Sequence, residues 1–587
     1  MLHYKHNFVM IRKIHIENIK GIENKEFELN ISPNKPTILV APNGFGKSSF
    51  AFAFNSLMAK KIKLDKNHYY QNNLSNLPKI SVEYEQNGNV CRLIADNNNN
   101  TISREIDTFV INSQTYPKGI GSQFGTATAR LEIRDVTIIN KIPSNCNFNY
   151  ALNEYKIRFG KNGKIIPNLN NVLSNKIVVK KLSEIYPYFK KANSDTKQQK
   201  INEIINRINS EEGTTEDIIN ICCNEIDKLG EIRYLQEIAE IIHNIESGIT
   251  KTNTFLMALQ LVWLYNDDEV NFKNACEYSN YKLEKQKIDD TLNRFNCTWR
   301  NIRTSETGGK LVVRFPEAQH ISNGQRDILS FISMLLQAKK ALKKENSILI
   351  IDEVFDYLDE ANLISAQYYI SEFIEEYKKE GKKIYPLILT HLDPELFNTF
   401  AFKKTKIQIH YLDRASSSPN QHMEKLLRER GNKQSTVSED ISRHLLHYHS
   451  EDINKRKEFS RLLLKETWGE GKNFYTFIYD EVNKYLDNKT YCPLAVCAGV
   501  RVKIEEITYN KIQNPDQKNE FLTTDETIPK LEKAEEFGVI SPEIYYLLRI
   551  IYNDGLHWKN DKSNFISKID FKLKNKTIKH LIESVFK

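Results

Sequence analysis

Apolar and polar residues alternate through Ile11-Arg12-Lys13-Ile14-His15-Ile16-Glu17-Asn18 and again through Phe27-Glu28-Leu29-Asn30-Ile31. A period of two marks half-buried strands, and Gly21 lies in the turn region between the segments, so they form a predicted β-hairpin. Thr37–Val40 is a short, continuously apolar strand, and Ser49–Met58 carries helix-forming residues. Further strands are predicted at Lys79–Glu85, Cys91–Ala95 and Thr108–Ile111, with Asn97–Asn100 at a hairpin tip. From about Pro143 to Thr307 the period becomes helical: Ile201, Ile204, Ile205 and Ile208 share one face, as do Leu235, Ile238, Ile242 and Ile245. Gly213, Gly230 and Gly248 interrupt this pattern, which predicts several short helices rather than one long coiled coil. Strand patterning returns at Lys310–Phe315, Ile348–Ile351, Tyr385–Thr390 and Lys406–Leu412. Beyond the polar linker Ala415–Gln421 the chain reads as helical again.

Three segments within this pattern carry chemistry. Ala41-Pro42-Asn43-Gly44-Phe45-Gly46-Lys47-Ser48-Ser49 joins a strand to a helix, the context that a phosphate-binding loop requires. Gly44 and Gly46 let the backbone N–H groups approach phosphates as a nest, and the following helix adds its N-terminal dipole. Lys47 is expected on the β- and γ-phosphates of ATP and Ser48 on Mg²⁺, with Asn43 and Ser49 in the same nucleotide-binding set. Ala41 stands at the loop's first position, where glycine is most usual. Ser322-Asn323-Gly324-Gln325-Arg326 reads as an ABC-type signature. Ile348-Leu349-Ile350-Ile351-Asp352-Glu353 is an apolar run, expected to be a buried parallel strand that delivers Asp352 to Mg²⁺ and Glu353 to the attacking water as general base.

Together with the N-terminal hairpin, these residues resemble the ABC-type ATPase heads of the SMC, RecF and related DNA-repair and phage-defence families. The resemblance covers roughly 1–140 and 309–412. It implies an α/β fold: a split P-loop ATPase head with an α-helical insertion and an α-helical C-terminal domain. The expected division is 1–142 and 309–414 for the two lobes of the head, 143–308 for the insertion and 415–587 for the C-terminal domain. It also implies that His391 contacts the γ-phosphate and holds the attacking water, and that Asp359 couples the two ATP sites of a homodimer. Ser322, Gly324 and Gln325 would then serve the ATP of the other subunit. Gln114 is the candidate Mg²⁺-sensing glutamine, with Gln123 as the alternative. Asn323 departs from the glycine these families often carry. The insertion is too short for a long coiled-coil arm and has no zinc-hook Cys-x-x-Cys, which argues against long-range chromosome tethering.

Bulk composition narrows the setting. The chain has 587 residues, enough for two to four domains. Its 83 Lys+Arg against 75 Asp+Glu leave +8 over the whole length, a weak pointer to nucleic acid. Met1–Lys13 mixes charges with apolar residues and has no secretory core, and Phe255–Tyr265 is too short to span a bilayer. The eight cysteines show no disulfide rhythm. A cytoplasmic protein without a membrane partner domain is expected.

The output of such a switch must lie in its C-terminal domain or in a partner. Arg501 and Glu505 fall one turn apart on a predicted helix, and His557 follows the apolar segment Ile550–Tyr552. An Arg-x-x-x-Glu with a distant His resembles the C-terminal ribonuclease domain of PrrC- and RloC-type anticodon nucleases, whose fold is HEPN-like. The resemblance implies His557 and Glu505 as an acid–base pair and Arg501 as the phosphate clamp; an ordinary surface ion pair is the competing reading. His444, His447 and His449, with Glu451 and Asp452, form a further cluster that reads either as a metal site or as an exposed polar helix. Two functions follow, besides a regulatory scaffold whose C-terminal domain only binds a protein partner. One is a homodimerising ATPase of anti-phage defence or nucleic-acid surveillance that controls its own nuclease domain or a nuclease partner, as the Septu ATPase does. The other is a DNA-repair or recombination ATPase that clamps DNA without cutting.

Overall fold

The computed structural model describes residues 8–42, 44–86, 88–112, 115–120, 128–246, 248–294, 302–315, 321–392, 407–412, 420–432, 434–553, 555–556 and 562–587. The fold is α/β with a parallel sheet and many helices. Two compact units are formed, Met1–Ser113 with Ala341–Lys587, and Gln114–Lys340. The helical stretch expected at 143–308 lies in the second unit with strands from both of its sides, and the C-terminal helices belong to the first. In chain order the described strands are β1 (Phe8–Ile19), β2 (Ile22–Ile31), β3 (Thr37–Val40), β4 (Lys79–Gln86), β5 (Asn89–Ala95), β6 (Ile106–Ile111), β7 (Thr115–Ile120), β8 (Thr128–Ile133), β9 (Val136–Ile139), β10 (Thr304–Thr307), β11 (Lys310–Val313), β12 (Asn346–Asp352), β13 (Lys383–Thr390) and β14 (Gln408–Tyr411).

In the first unit β14-β3-β13-β12-β6 form a parallel sheet. β12 and β13 are buried almost end to end, which is why they appear as continuous apolar runs. β2-β1-β4-β5 form an antiparallel sheet. A register shift between Ile11 and Lys13 bulges β1, so Ile11 and Ile14, three apart, both enter the core with Ile16. Phe50 and Phe54 of the helix Lys47–Asn55 join residues of both sheets in that core. The helix Pro493–Lys511 is buried on nearly every face. At Gly499 a Cβ would stand 2.7 Å from Val482 Cγ2, so only glycine admits the helix Gly471–Leu486 this closely. Tyr411 of β14 meets Phe571 of the helix Lys562–Leu573, with ring centroids 6.0 Å apart.

In the second unit the helices Asp195–Ser210 and Arg233–Ile245 turn the predicted faces into one core with Lys251–Asp267, which is itself buried from Thr254 to Tyr265, and Ile245 alone of those residues is only partly buried. Gly213, at φ 146, precedes a Thr214–Asp217 capping box that starts the next helix. The hairpin β7-β8 and strands β9 and β10 were not anticipated; β10 is the polar run Thr304-Ser305-Glu306-Thr307, which carries no hydrophobic signal. Among the described residues no helix is long and apolar enough to cross a membrane, and seven cysteines are free thiols.

Candidate functional site

The chain leaves β3 at Val40, and Ala41 N prolongs the pairing by donating to Thr390 O of β13 at 3.2 Å. Gly44 and Gly46 then take φ of 83° and 103°, left-handed values that turn the chain sharply into a helix. Gly46 is the N-cap, and Lys47 opens the helix. The Lys47 side chain is buried: Nζ donates to Ala41 O at 3.0 Å and Pro42 O at 3.2 Å, and stands 3.4 Å from Glu353 Oε1. Ser48 is exposed, whereas Ser49 Oγ accepts from Gly21 N at 3.3 Å, fastening the helix to the β1–β2 turn. Asn43, Gln114 and Gln123 lie outside the described residues.

β12, two places along the same sheet, ends in Asp352. Its Oδ1 is buried without a hydrogen-bond partner. Burial, with Glu353 alongside, pushes this carboxyl up to about 6 against the pull of Lys47. Glu353 has φ 54, a strained left-handed backbone for a glutamate, while its N–H still donates to Leu389 O at 3.0 Å. Asp356 follows in the short turn Phe355–Tyr357. It accepts from the Thr390 hydroxyl and from His391 N at 3.4 Å, and its Oδ2 lies 2.7 Å from His391 Nδ1. Burial raises the Asp356 carboxyl, and Thr390 and His391 oppose that rise. Glu353, Asp356 and His391 offer ligand atoms that all lie within 4.8 Å of one another. Asp359 caps the helix Glu360–Lys379, accepting from Asn362 N at 2.9 Å.

These residues fit a phosphate chain and a divalent cation. An orphaned buried carboxylate oxygen on Asp352 calls for a cationic partner, and the exposed Ser48 hydroxyl stands in the first turn of the loop's helix. The signature segment belongs to the second unit. There Ser322 starts the helix Asn323–Ala341, its Oγ accepting from Gln325 N at 3.4 Å and its carbonyl from Arg326 N at 2.9 Å. Gly324 lies in that first turn, and Gln325 is buried.

The C-terminal residues form a different site from the one expected. Arg501 and Glu505 are 2% and 0% exposed, so neither is a surface group. Glu505 accepts from His447 Nδ1 (2.7 Å), Tyr448 N (3.0 Å), Thr527 Oγ1 (2.7 Å) and Lys530 Nζ (3.0 Å). Burial opposes its ionisation, yet His447, Lys530 and these hydrogen bonds hold the carboxyl well below the usual range. A carboxylate bound this fully is an anchor, which corrects its expected role as a proton shuttle. Burial lowers the His447 imidazole in turn; Glu505 opposes that shift, and the cations Arg501 and Lys530 add to it. Arg501 donates to Tyr552 O at 2.9 Å and Asn553 Oδ1 at 3.2 Å, and NH1 lies 3.4 Å from His447 Nε2. Among the described residues it meets no carboxylate within ion-pair distance, and its Nε has no partner. Burial pushes the Arg501 guanidinium down to about 10. His557 lies outside the described residues. The histidines do not converge as ligands: the rings of His444 and His449 lie 4.0 Å apart at 47°, His447 turns to Glu505, and no metal-ligand group is found here among the described residues.

No family model matches the chain, and no curated protein does. Among solved structures it is similar to an SMC head bound to the C-terminal winged-helix domain of ScpA, at 11% identity. That overlay covers 66% of this chain and 91% of the other, with a TM-score of 0.24. A second is the recombination mediator RecF with ATP, at 13% identity, covering 67% and 95%, with a TM-score of 0.21. Both overlays are loose, and the functional reading rests on the residues of the site.

Sequence reasoning missed Asp356 and the place of His447. Asp356 sits in plain view between Glu353 and Asp359, four residues after Asp352. Its pairing with His391, 35 residues on, needed the adjacency of β12 and β13. His447 is 54 residues from Arg501, and no periodic pattern spans that distance.

Proposed function

We propose that the chain is an ABC-type ATPase of the SMC/RecF-like kind, which binds ATP with Mg²⁺ and uses its hydrolysis as a switch. One observation carries the reading. The glycine loop after β3 and the carboxylates at and just past the end of β12 emerge at the same, carboxyl, end of one parallel sheet, where Lys47 comes within 3.4 Å of Glu353. The N–H groups around Gly44 and Gly46, with the first turn of the helix, receive the phosphates. Lys47 exchanges the Ala41 and Pro42 carbonyls for phosphate oxygens. Ser48 and Asp352 would hold Mg²⁺, which supplies neutralising charge at the phosphates, and Asn43 and Gln114 complete the set. Glu353 polarises the attacking water as general base, and His391 keeps that water in place. Ser322, Gly324 and Gln325 serve the ATP of a second copy and Asp359 couples the two sites, so ATP drives homodimerisation.

The switch would act in anti-phage defence or nucleic-acid surveillance, controlling a nuclease; a DNA-repair clamp is the alternative. A C-terminal ribonuclease, acting on tRNA or another nucleic acid, is favoured by Arg501. A buried guanidinium that meets no carboxylate among the described residues, and whose Nε has no partner there, is short of an anion, which a phosphodiester would provide. His447, neutral and oriented by Glu505, takes the role of base beside it.

ATP binding and phosphate release by the purified chain test the head. Lys47→Ala should lose nucleotide binding, and unchanged affinity would sink the reading. For the C-terminal domain the readout is cellular tRNA after inducing wild type, Glu353→Gln, Arg501→Ala and His447→Ala. Cleavage by wild type that vanishes in the last two supports a built-in ribonuclease. Intact RNA throughout would move the chemistry to a partner protein.

A further inference from the structure

We infer that Asp356 is a positioning residue for His391, fixing the direction of its imidazole for ATP hydrolysis; the inference rests on the ATPase reading above. The His391 side chain is 39% exposed, so packing does little to hold it, whereas that of Asp356 is 0% exposed. From the turn Phe355–Tyr357 the carboxylate grips the end of β13 at three points. Oδ1 accepts from the Thr390 hydroxyl, and Oδ2 accepts from His391 N at 3.4 Å and stands 2.7 Å from Nδ1. That last approach is a short polar contact, not aligned as a straight hydrogen bond. A carboxylate against Nδ1 favours the neutral tautomer that carries its proton there and leaves Nε2 as the acceptor, and the contact limits how far the ring can turn.

The location adds to the case. A third carboxylate buried beside Asp352 and Glu353 raises mutual repulsion. What the position offers is a constraint. Asp356 lies three residues after Glu353, and ligand atoms of Glu353, Asp356 and His391 lie within 4.8 Å of one another. The short segment that supplies the water-activating glutamate therefore also aims the histidine. Asp359, the other acidic residue of the segment, spends its carboxylate on capping the next helix.

The test is steady-state ATP hydrolysis by the full chain, with kcat and KM separated and ATP affinity measured directly. The variants are Asp356→Ala, Asp356→Asn, His391→Ala and the Asp356→Ala/His391→Ala double. Asp356→Ala should lower kcat by about 10- to 100-fold, the usual effect of losing a residue that orients an active histidine. ATP affinity should stay unchanged. Asp356→Asn, still able to accept from Thr390, should recover part of the rate, and the double variant should be no slower than His391→Ala. Wild-type kcat in both Asp356 variants would overturn the inference. So would a loss on the His391→Ala background as large as on wild type, because Asp356 would then act independently of the ring. If Asp356→Ala fails to fold by thermal melting, Asp356→Asn carries the comparison. Lys47→Ala separates the two levels: if it binds ATP as wild type does, the assignment of the nucleotide to this loop fails and this inference with it.

Discussion

Replacing Asp352 with Asn should make the nucleotide-free protein more stable, at the expense of its cation site. The Asp352 carboxyl is raised from an ordinary 3.8 to about 6, first by burial and then by the neighbouring Glu353. The folded state therefore holds this proton more tightly than the unfolded chain does. Ionising the group weakens folding: the cost is small near pH 4, grows with pH, and is complete above about 6. The gap between 3.8 and about 6 corresponds to about 3 kcal/mol at pH 7 and about half of that at pH 5. Asparagine keeps the shape and removes the charge. In a unit this large the gain should appear as a melting increase of roughly 3–6 °C at pH 7, shrinking steadily toward pH 4. Thermal unfolding of wild type and Asp352→Asn at pH 4, 5, 6, 7 and 8 without nucleotide is the assay. Mg²⁺ with ATP should then raise the wild-type transition and leave that of the variant nearly unchanged. A variant no more stable than wild type at pH 8, or a gain that does not vary with pH, would refute the reasoning.

Other outcomes follow from the same geometry. Glu353→Gln should bind ATP, hydrolyse it at least about 100-fold more slowly, and accumulate as a dimer by size-exclusion chromatography with ATP; a monomer at saturating ATP would contradict the composite site. Gly46→Ala would force a Cβ onto a backbone at φ 103, so it should weaken ATP binding in a filter assay; wild-type affinity would show that the loop tolerates another shape. Glu505→Ala should cost about 3–5 kcal/mol in urea unfolding, because it strands Lys530 in the core; a smaller loss would show that Lys530 finds water. The Glu505 carboxyl is held below its ordinary value, so its contribution is present at neutral pH and lost as pH falls below about 4.3; melting that does not weaken at acid pH would argue against it.

How far the sequence led depended on the range of the interaction. Thr37–Val40 was placed to the residue, because a buried parallel strand is continuously apolar and the loop after it is marked by glycine. β1 was recognised although its bulge breaks the alternation between Ile11 and Ile14, since apolar residues resume at Ile14 and Ile16. Of the strands that escaped, β7 is interrupted by a proline and a glycine, and β10 is polar throughout.

The candidate sites divide along the same line. The glycine loop is a local device: spacing alone sets which amides line up, so Gly44 to Ser49 could be read from the chain. Pairing between segments is not local. Asp356 meets His391 only because β12 and β13 lie side by side and end together, and Arg501 meets His447 only through the packing of the C-terminal helices. The Arg-x-x-x-Glu spacing located Arg501 and Glu505 on one helix, but spacing says nothing about which partners claim a side chain. Four donors claimed Glu505 and none of the described carboxylates claimed Arg501, so two residues one turn apart have opposite parts. The glutamate is a fixed anchor, and the arginine is the group that among the described residues still lacks a counter-charge. That difference is where a functional reading of the C-terminal domain has to start, because only the unsatisfied member of the pair has chemistry left to offer.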